Sequence, residues 1–235
     1  MDFSIVIPAY NEEKRIIDTL KRLTEFMSLN YPEYEIIVVD DGSTDSTGRV
    51  INEKFLSDTK IKILKLSSNH GKGYAVKKGI LASNGDSILV TDADMSAPIE
   101  QISKLIPFLA EGNDIVMASR SVDKAHVKKH QLWYREIMGK IFNLFVRMLV
   151  FKGFYDTQCG FKLIKSNVAK ELAGLMKIDG FCFDVEMIFL ALKRGYKPIE
   201  IGVDWINSPD SKVKLFTSSL AMFIDLFKIK KIHKG

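Results

Sequence analysis

The chain of 235 residues has no hydrophobic run long enough to span a membrane. A transmembrane helix needs roughly 20 consecutive apolar residues. The best candidates, residues 141–151 and 220–229, are shorter and are interrupted by Arg147 and Asp225. The N-terminus also lacks the basic region and long apolar core of a cleaved secretory signal. We therefore expect no transmembrane helix and no leader peptide.

Cysteine is scarce, and low-complexity tracts and internal repeats are absent. Cys159 and Cys182 are too few for a disulfide scaffold and do not have the spacing of a Cys-x-x-Cys metal site, so we expect two buried thiols in a reducing compartment. A hydrophobic fraction of 46% excludes intrinsic disorder, because it supplies enough apolar area to offset chain entropy. We expect a single domain over residues 1–235.

Charge is present in both signs, with a modest basic excess. The 34 Lys and Arg outnumber the 29 Asp and Glu, which gives a net charge of +5 and indicates an anionic partner. That partner is a nucleic acid, a phosphorylated substrate or an acidic membrane surface. The basic residues of the tail alternate with bulky apolar ones and no aromatic stacking platform accompanies them, which argues against nucleic acid.

The first 120 residues alternate short β-branched runs with amphipathic stretches of helical length. This pattern predicts an α/β fold: a Rossmann-like, mostly parallel sheet flanked by helices. The predicted strands are residues 3–7, 35–39, 61–66, 87–90, 114–117 and 198–203. The predicted helices are residues 12–28, 45–55, 73–82, 98–110, 133–151 and 181–194, with an amphipathic C-terminal helix over residues 213–232.

Polar residues follow three of these strands. In an open parallel sheet, ligands bind beyond the carboxyl ends of the strands. Residues 8–12, 40–45 and 91–94 occupy such ends and carry several carboxylates. Because clustered carboxylates repel one another, a cation or a set of hydrogen-bond donors is needed to satisfy them. The pattern indicates a ligand site.

Asp92 and Asp94 are the candidate metal ligands. Residues two apart in an extended chain point the same way, so both carboxylates can face one point. Such oxygen ligands suit Mg²⁺ or Mn²⁺, which takes the rest of its shell from water and a substrate diphosphate. The alternative is a turn in which one Asp caps the next helix. The neighbouring acidic loops favour the metal.

Two further loops have both a functional and a structural interpretation. Asp40 and Asp41 either start a turn that leads into a helix capped by Ser43 or Thr44, or place a carboxylate where it accepts the imino hydrogen of uracil or guanine. Lys72 precedes a helix whose N-terminus favours phosphate, and it is either a diphosphate ligand or a solvated lysine. Neither a P-loop nor a G-x-G-x-x-G motif is present, which argues against a kinase or a dinucleotide-dependent dehydrogenase.

Taken together, the motifs resemble a known family. Residues 5–12, 38–45, 71–73 and 91–94 occur in the order and at the approximate spacing of the family 2 glycosyltransferases, which have the GT-A fold. The second half resembles their polyprenyl-phosphate hexosyltransferase branch, and more the dolichyl-phosphate β-glucosyltransferases than the mannose synthases. That likeness lies in residues 118–120, 133–135, 156–162, 181–186 and 194–196.

The resemblance implies a role for each matching residue. Residues 1–120 would form the nucleotide-sugar-binding half and residues 121–235 the acceptor and membrane-facing half. The implied donor ligands are Pro8, Ala9, Tyr10, Glu12, Asp40, Asp41, Lys72 and Asp92. Asp92 and Asp94 would hold Mg²⁺ or Mn²⁺, and Arg120, Arg135 and Lys212 would bind the acceptor phosphate. The implied catalytic set is Asp94, Arg120, Arg135 and Asp184, and Glu186 matches the same sugar-facing region as Asp184.

The implied reaction is inverting transfer of a hexose, glucose from UDP-glucose, to a polyprenyl (dolichyl-type) monophosphate. A phosphate monoester has a second pKa near 6, so it is already a nucleophile at neutral pH and needs positive charge more than a base. Asp184 would then contact a sugar hydroxyl. The alternatives are a GDP-mannose-dependent mannosyltransferase and a non-catalytic nucleotide-sugar-binding protein. We expect peripheral attachment to the cytoplasmic face of a membrane.

Overall fold

The computed structural model describes residues 2–122, 125–129, 133–206 and 215–234. The strands are β1 (Phe3–Ala9), β2 (Tyr34–Asp40), β3 (Ile61–Lys65), β4 (Ser87–Val90), β5 (Ile115–Ser119), β6 (His126–Lys129), β7 (Lys162–Lys165), β8 (Pro198–Gly202) and β9 (Asp204–Ile206). The helices are α1 (Ile16–Asn30), α2 (Thr47–Phe55), α3 (Lys72–Ala82), α4 (Ile102–Ala110), α5 (Trp133–Leu149), α6 (Ser166–Leu175), α7 (Phe183–Lys193) and α8 (Leu215–Ile232), and a 3₁₀ turn (Ile99–Gln101) precedes α4.

Seven strands form one sheet in the order β3-β2-β1-β4-β7-β5-β8. All neighbours are parallel except β7, which is antiparallel to both β4 and β5. Because β7 runs the other way, its first residue lies at the edge where β4 and β5 end: Lys162 is opposite Val90 and Met117. β6 and β9 pair separately in a small parallel sheet.

Helices cover both faces of the sheet. The central strands are apolar along most of their length, as expected for strands buried on both faces. One core cluster packs α1 and α4 on the first face, and a second packs α3, α6 and α7 on the other. A third cluster joins α5, α7 and α8, so the C-terminal helix rests on α5 and α7. The sheet edge that carries the polar loops is left uncovered by these layers.

Most of the predicted elements are confirmed, with differences at helix starts and in the second half. The first helix begins at Ile16 and not at residue 12, because residues 12–15 form a turn in which the Arg15 and Ile16 amides bond to the Glu12 carbonyl. The prediction omitted β7, α6, β6 and β9. β7 has only four residues with a lysine at each end, so its sequence does not read as a buried strand.

Both cysteines are free and buried, as predicted. Burial raises the pKa of Cys159 to about 12, so this thiol stays protonated at neutral pH. Within the described part of the chain, no helix is long and apolar enough to cross a membrane.

Candidate functional site

The predicted polar loops meet at one edge of the sheet. The carboxyl ends of β1, β2, β4 and β5 and the start of β7 lie there, and each is followed or opened by a charged or polar residue. The antiparallel direction of β7 adds residues of the second half of the chain to the loops of the first half. The site is therefore built from both halves.

The loops after β1 and β2 are locked together. Asn11 has the left-handed conformation, with φ of 57°, which Asn tolerates better than most residues. Its side-chain Oδ1 accepts the backbone amide of Thr44 at 2.8 Å, and its backbone amide donates to Ser43 Oγ at 2.9 Å. Ala9 is buried and Tyr10 is exposed, so the loop presents an aromatic ring beside the strand ends.

Asp40 and Asp41 are buried, and both carboxylates bind backbone amides. Asp41 accepts the amides of His70 at 2.9 Å and Gly71 at 2.8 Å, and Asp40 accepts the amide of Ser43 at 2.9 Å. Burial raises the pKa of Asp41, and the two amides oppose that rise. Asp41 thus holds the loop that leads into α3. This structural role is compatible with a further contact to a ligand, because each carboxylate oxygen has two lone pairs.

Asp92 and Asp94 lie in the turn after β4. The Lys72 ammonium is 2.6 Å from Asp92 Oδ1, and Asp94 Oδ1 accepts the Ser96 amide at 3.0 Å. Burial and the neighbouring Asp92 raise the pKa of Asp94. Burial also acts on Asp92, but Lys72 outweighs it and lowers the pKa of that carboxyl. The pair is therefore charge-balanced mainly by a lysine side chain.

Gly160 closes the space behind Asp92. A Cβ atom at this position would be 2.2 Å from Asp92 Oδ2, well inside van der Waals contact. Only glycine fits there without moving the carboxylate. The loop before β7 thus fixes where Asp92 lies.

The residues at this edge fit a divalent cation that shares its shell with a substrate. No group of three or more His, Cys, Asp and Glu in a metal-binding arrangement occurs among the described residues. Asp92 and Asp94 supply two carboxylates, and the pKa of Asp94 is raised by burial and by the nearby Asp92, whose repulsion a cation would relieve. Two protein carboxylates plus diphosphate oxygens and water are a usual shell for Mg²⁺.

A second lysine–carboxylate pair lies beside the first. Lys162 Nζ is 2.6 Å from Asp184 Oδ1 and 2.5 Å from the Cys159 carbonyl oxygen. Both partners are buried. Burial raises the pKa of Asp184, while Lys162 and Lys72 oppose the rise. Lys162 was not among the predicted site residues, although it ends the 156–162 motif that carried part of the family resemblance.

Arg120 is clamped by Asp156 at the end of β5. Its Nε and Nη2 each lie 2.7 Å from an Asp156 oxygen, and its guanidinium carbon is 4.8 Å from the centre of the Trp205 ring. Glu200 accepts the Asp156 amide at 2.6 Å and so holds the loop that carries the clamp. Arg120 also lowers the pKa of Asp92, which places its charge near the metal candidates. Sequence reasoning missed Asp156 as a site residue.

Glu186 lies away from the site, which corrects its expected placement near the sugar. Its buried carboxylate accepts the amides of Lys177 at 2.8 Å and Ile178 at 3.0 Å, and its Oε1 is 2.6 Å from His233 Nε2. Asp184 and Glu186 are two apart on a helix, so they point in different directions. Glu186 anchors the end of α8.

The remaining predicted site residues are Glu12, Arg135 and Lys212. Glu12 forms an ion pair with Arg15, three residues further on, and both are partly buried beside the β2 loop. The side chain of Arg135 and the whole of Lys212 lie outside the described residues. Their predicted contact with the acceptor phosphate stays a prediction.

Comparison with known proteins identifies the family. The sequence profile described as "Glycosyl transferase family 2" matches residues 4–173. A dolichyl-phosphate beta-glucosyltransferase of Dictyostelium discoideum is 38% identical over 97% of this chain and 73% of that protein. The human protein of the same name is 34% identical over 97% of this chain and 74% of that protein.

Solved structures share the fold. Glucosyl-3-phosphoglycerate synthase of Mycobacterium tuberculosis, solved with Mn²⁺, UDP and glucosyl-3-phosphoglycerate, has a TM-score of 0.74 at 18% identity, covering 100% of this chain and 81% of that one. A mannosyltransferase of Pyrobaculum calidifontis, solved with GDP-Man and Mn²⁺, has a TM-score of 0.66 at 17% identity, covering 99% and 64%. Since the profile matches most of the chain and the relatives match nearly all of it, the chain belongs to glycosyl transferase family 2 and has the GT-A fold.

Proposed function

We propose that this protein transfers glucose from UDP-glucose to the phosphate of a dolichyl-type polyprenyl phosphate, with inversion at the sugar carbon. The relatives named dolichyl-phosphate beta-glucosyltransferase support the sugar and the acceptor, since they match nearly the whole chain. One observation of the structure carries the proposal. The carboxylate pair Asp92 and Asp94 lies at the same sheet edge as the basic residue Arg120.

The donor occupies the part of this edge built from the first half of the chain. The nucleoside lies along the loops after β1 and β2, against Pro8, Ala9, Tyr10, Glu12 and Asp41, with Asp40 supporting them. The locked Asn11 and Ser43 contacts keep that surface in shape before the donor arrives. Preorganised contacts of this kind reduce the entropy lost on binding.

Asp92 and Asp94 would hold Mg²⁺ or Mn²⁺ on the donor diphosphate. When bound, the cation would neutralise charge that develops on the leaving diphosphate. Lys72 places a further positive charge at the same point, 2.6 Å from Asp92 Oδ1. Its side chain is partly exposed, so it can turn toward a phosphate oxygen. Lys72 therefore assists the same departure.

The acceptor phosphate binds on the basic side of the site. Its oxygen attacks the sugar carbon directly while the bond from that carbon to the diphosphate oxygen breaks, which inverts the configuration. Arg120 orients the phosphate, and Asp156 holds Arg120 in a fixed orientation through two hydrogen bonds of 2.7 Å. Arg135 and Lys212 add to this charge. Asp184 contacts a sugar hydroxyl and is not required as a base.

The lipid reaches the site from a membrane surface that α5 and α8 touch. These helices pack on each other, with the Phe142 and Phe223 rings 5.6 Å apart. Apolar side chains remain exposed on both, and exposed lysines flank them. The apolar ones are Ile141, Leu144, Met148, Ile224 and Phe227, and the lysines are Lys140, Lys152, Lys228 and Lys231. Apolar residues beside lysines are typical of helices that lie in the surface of an anionic leaflet, here the cytoplasmic one.

A donor panel tests the reaction. UDP-glucose, UDP-galactose, UDP-N-acetylglucosamine and GDP-mannose are each incubated with a short polyprenyl phosphate and Mn²⁺ or Mg²⁺, and the product is detected by mass. We expect a lipid-linked hexose with UDP-glucose and none without a divalent ion. A product with GDP-mannose alone would make the protein a mannosyltransferase. Donor binding without any product would make it a non-catalytic binding protein.

Liposome flotation tests the membrane surface. We expect the full chain to float with anionic vesicles, and Met148→Glu combined with Phe227→Glu to abolish flotation. Leu29 is equally apolar and exposed on α1, so Leu29→Glu is the matched control and should float like the wild type. Equal flotation of the control and the double variant would contradict the assignment of this surface to α5 and α8.

A further inference from the structure

We infer that Lys162 is a positioning residue, whose buried ammonium holds Asp184 toward the sugar of the donor. The inference rests on the proposed function in taking a nucleotide sugar as the donor and Asp184 as a contact of its sugar. It acts through Asp184, so it needs no contact of its own with the substrate.

The topology places Lys162 in the middle of the site. It is the first residue of the antiparallel strand β7, between β4 and β5. It lies opposite Val90, two residues before Asp92, and opposite Met117, three residues before Arg120. An antiparallel insertion in a parallel sheet is what brings a residue from the start of a strand to this edge. Lys162 thus lies between the candidate metal ligands Asp92 and Asp94 and Arg120, which is proposed to bind the acceptor phosphate.

The contacts of Lys162 leave it little freedom. Its side chain is 1% exposed, and its ammonium donates to Asp184 Oδ1 at 2.6 Å and to the Cys159 carbonyl oxygen at 2.5 Å. Burying a lysine and a carboxylate together is costly, and apolar residues of similar volume are often as stable in their place. A buried pair at the edge of a substrate site is therefore better explained by function than by stability. The carbonyl bond fixes the lysine, and the lysine fixes Asp184.

Lys72 and Lys162 have different roles in the charge balance of the site. Asp92, Asp94 and Asp184 face Lys72 and Lys162, and Arg120 adds a positive charge near Asp92. Lys72 is 18% exposed and can move to a diphosphate oxygen when the donor binds. Lys162 cannot follow, because it is buried and bonded to the backbone. It remains the counter-charge of Asp184 throughout.

The same strand offers a matched control. At the far end of β7, Lys165 Nζ is 2.9 Å from Asp114 Oδ1, and both side chains are partly exposed. This pair lies at the amino-terminal ends of the parallel strands, and the candidate site lies at their carboxyl ends. Lys165→Met therefore removes a lysine from the same strand and breaks a Lys–Asp pair without touching the site.

The experiment compares nucleotide with nucleotide sugar. Calorimetric titration with Mn²⁺ gives the Kd of UDP and of UDP-glucose for the full-length wild type and for K162M, D184N, K162M/D184N and K165M. We expect K162M and D184N to change the ratio of the two Kd values by about tenfold, the effect of losing a charged hydrogen bond. The double variant should change the ratio no further than either single variant, and K165M should leave it unchanged. The Kd of UDP should stay within about threefold throughout.

Two further measurements separate folding and donor identity from this result. Thermal melting should show K162M less stable than the wild type and K162M/D184N partly restored, because the double variant leaves no unpaired charge. If the donor is GDP-mannose and not UDP-glucose, the ratio of the Kd values of GDP and GDP-mannose tests the Lys162–Asp184 pair in the same way. The inference is overturned if K162M alters both Kd values equally, if the two single effects multiply in the double variant, or if the wild type does not distinguish sugar from bare nucleotide. Failure to bind UDP with a normal GDP-mannose result contradicts only the proposed donor.

Discussion

Two pairs of aspartates lie at the carboxyl ends of parallel strands in this protein, and the structure uses them in opposite ways. Asp40, the last residue of β2, accepts the backbone amide of Ser43 through one oxygen, and Asp41 accepts the backbone amides of His70 and Gly71. Asp92 and Asp94, after β4, accept one backbone amide, that of Ser96, and Asp92 is balanced by the ammonium of Lys72. Sequence spacing alone does not distinguish the pairs.

The difference shows which pair can change partners. A carboxylate bound to backbone amides holds two loops in place, and a ligand cannot take those amides away without unfolding the loop. A carboxylate balanced by a partly exposed lysine side chain can exchange that lysine for a cation at little structural cost. We therefore assign to Asp41 the role of fixing the loops, beside its proposed contact with the nucleoside, and to Asp92 and Asp94 the exchangeable, cation-facing role.

The largest effect is expected at Asp94. Asp94→Asn removes one of the two carboxylates proposed to hold the divalent ion, and transfer should fall by about 100-fold or more. Stability should stay the same or rise, because burial and Asp92 already raise the pKa of this carboxyl. Turnover with UDP-glucose and polyprenyl phosphate measures the loss of transfer, and urea unfolding measures the change in stability. Retention of activity within a few-fold would contradict the metal assignment.

The Arg120–Asp156 pair should be important for stability in a pH-dependent way. Breaking a buried pair by removing one partner costs about 3 kcal/mol, so Asp156→Asn should lower the free energy of unfolding by about that amount at pH 7. Burial opposes it, but Arg120 lowers the pKa of Asp156 below its ordinary value of 3.8. A lowered pKa stabilises the fold above that ordinary value, and the contribution is lost as pH falls through the lower, folded value. The difference between wild type and variant should therefore shrink below about pH 4 in urea unfolding. A constant difference down to pH 2 would contradict this.

A smaller effect is expected from Gly160→Ala. The new Cβ would lie 2.2 Å from Asp92 Oδ2, so the carboxylate must shift. We expect kcat/KM to fall by roughly tenfold, since misplaced reacting groups cost rate even when they are present. Gly174 in α6 has nothing within 4 Å of an added Cβ, so Gly174→Ala is the matched control and should keep full activity. Equal activities of the two variants would show that Asp92 tolerates the shift.

The smallest of the four effects is expected at Asp41. Asp41→Asn leaves one of the His70 and Gly71 amides facing an NH₂ group, and the free energy of unfolding should fall by about 1–2 kcal/mol. Urea unfolding at pH 7 measures this. Asp94→Asn is the comparison, and it should not be destabilising. If both variants lost the same stability, the distinction between the two aspartate pairs would fail.

Much of the first half was predictable, because its elements are long and its pattern is regular. Strands β1, β2 and β4 are continuous apolar runs, and polar residues follow them at once, so both the sheet and its functional edge could be inferred. The positions of Asp92 and Asp94 followed from the same rule. The exact start of α1 did not, because residues 12–15 are Glu, Glu, Lys and Arg, which have good helix propensity and continue without a break into the helix.

The second half was less predictable, since its site residues meet only through long-range contacts. β7 is too short and too basic to read as a buried strand, yet it places Lys162 opposite β4 and β5. Asp156 and Glu200 are 44 residues apart, yet the backbone amide of Asp156 donates a hydrogen bond to the Glu200 carboxylate. Glu186 resembled a sugar-facing residue in sequence, but its carboxylate is turned toward His233 at the end of α8.

The sequence by itself determined the α/β class, the edge of the sheet that carries the site and the residue types available there, because hydrophobic period and strand-end polarity are local properties. Tertiary structure alone decided which carboxylate pairs with which cation. That pairing depends on the direction of β7, the glycine behind Asp92 and the burial of Lys162. Coulombic and hydrogen-bond energies depend on distances of a few ångströms between residues far apart in the chain, and only the folded chain sets those distances.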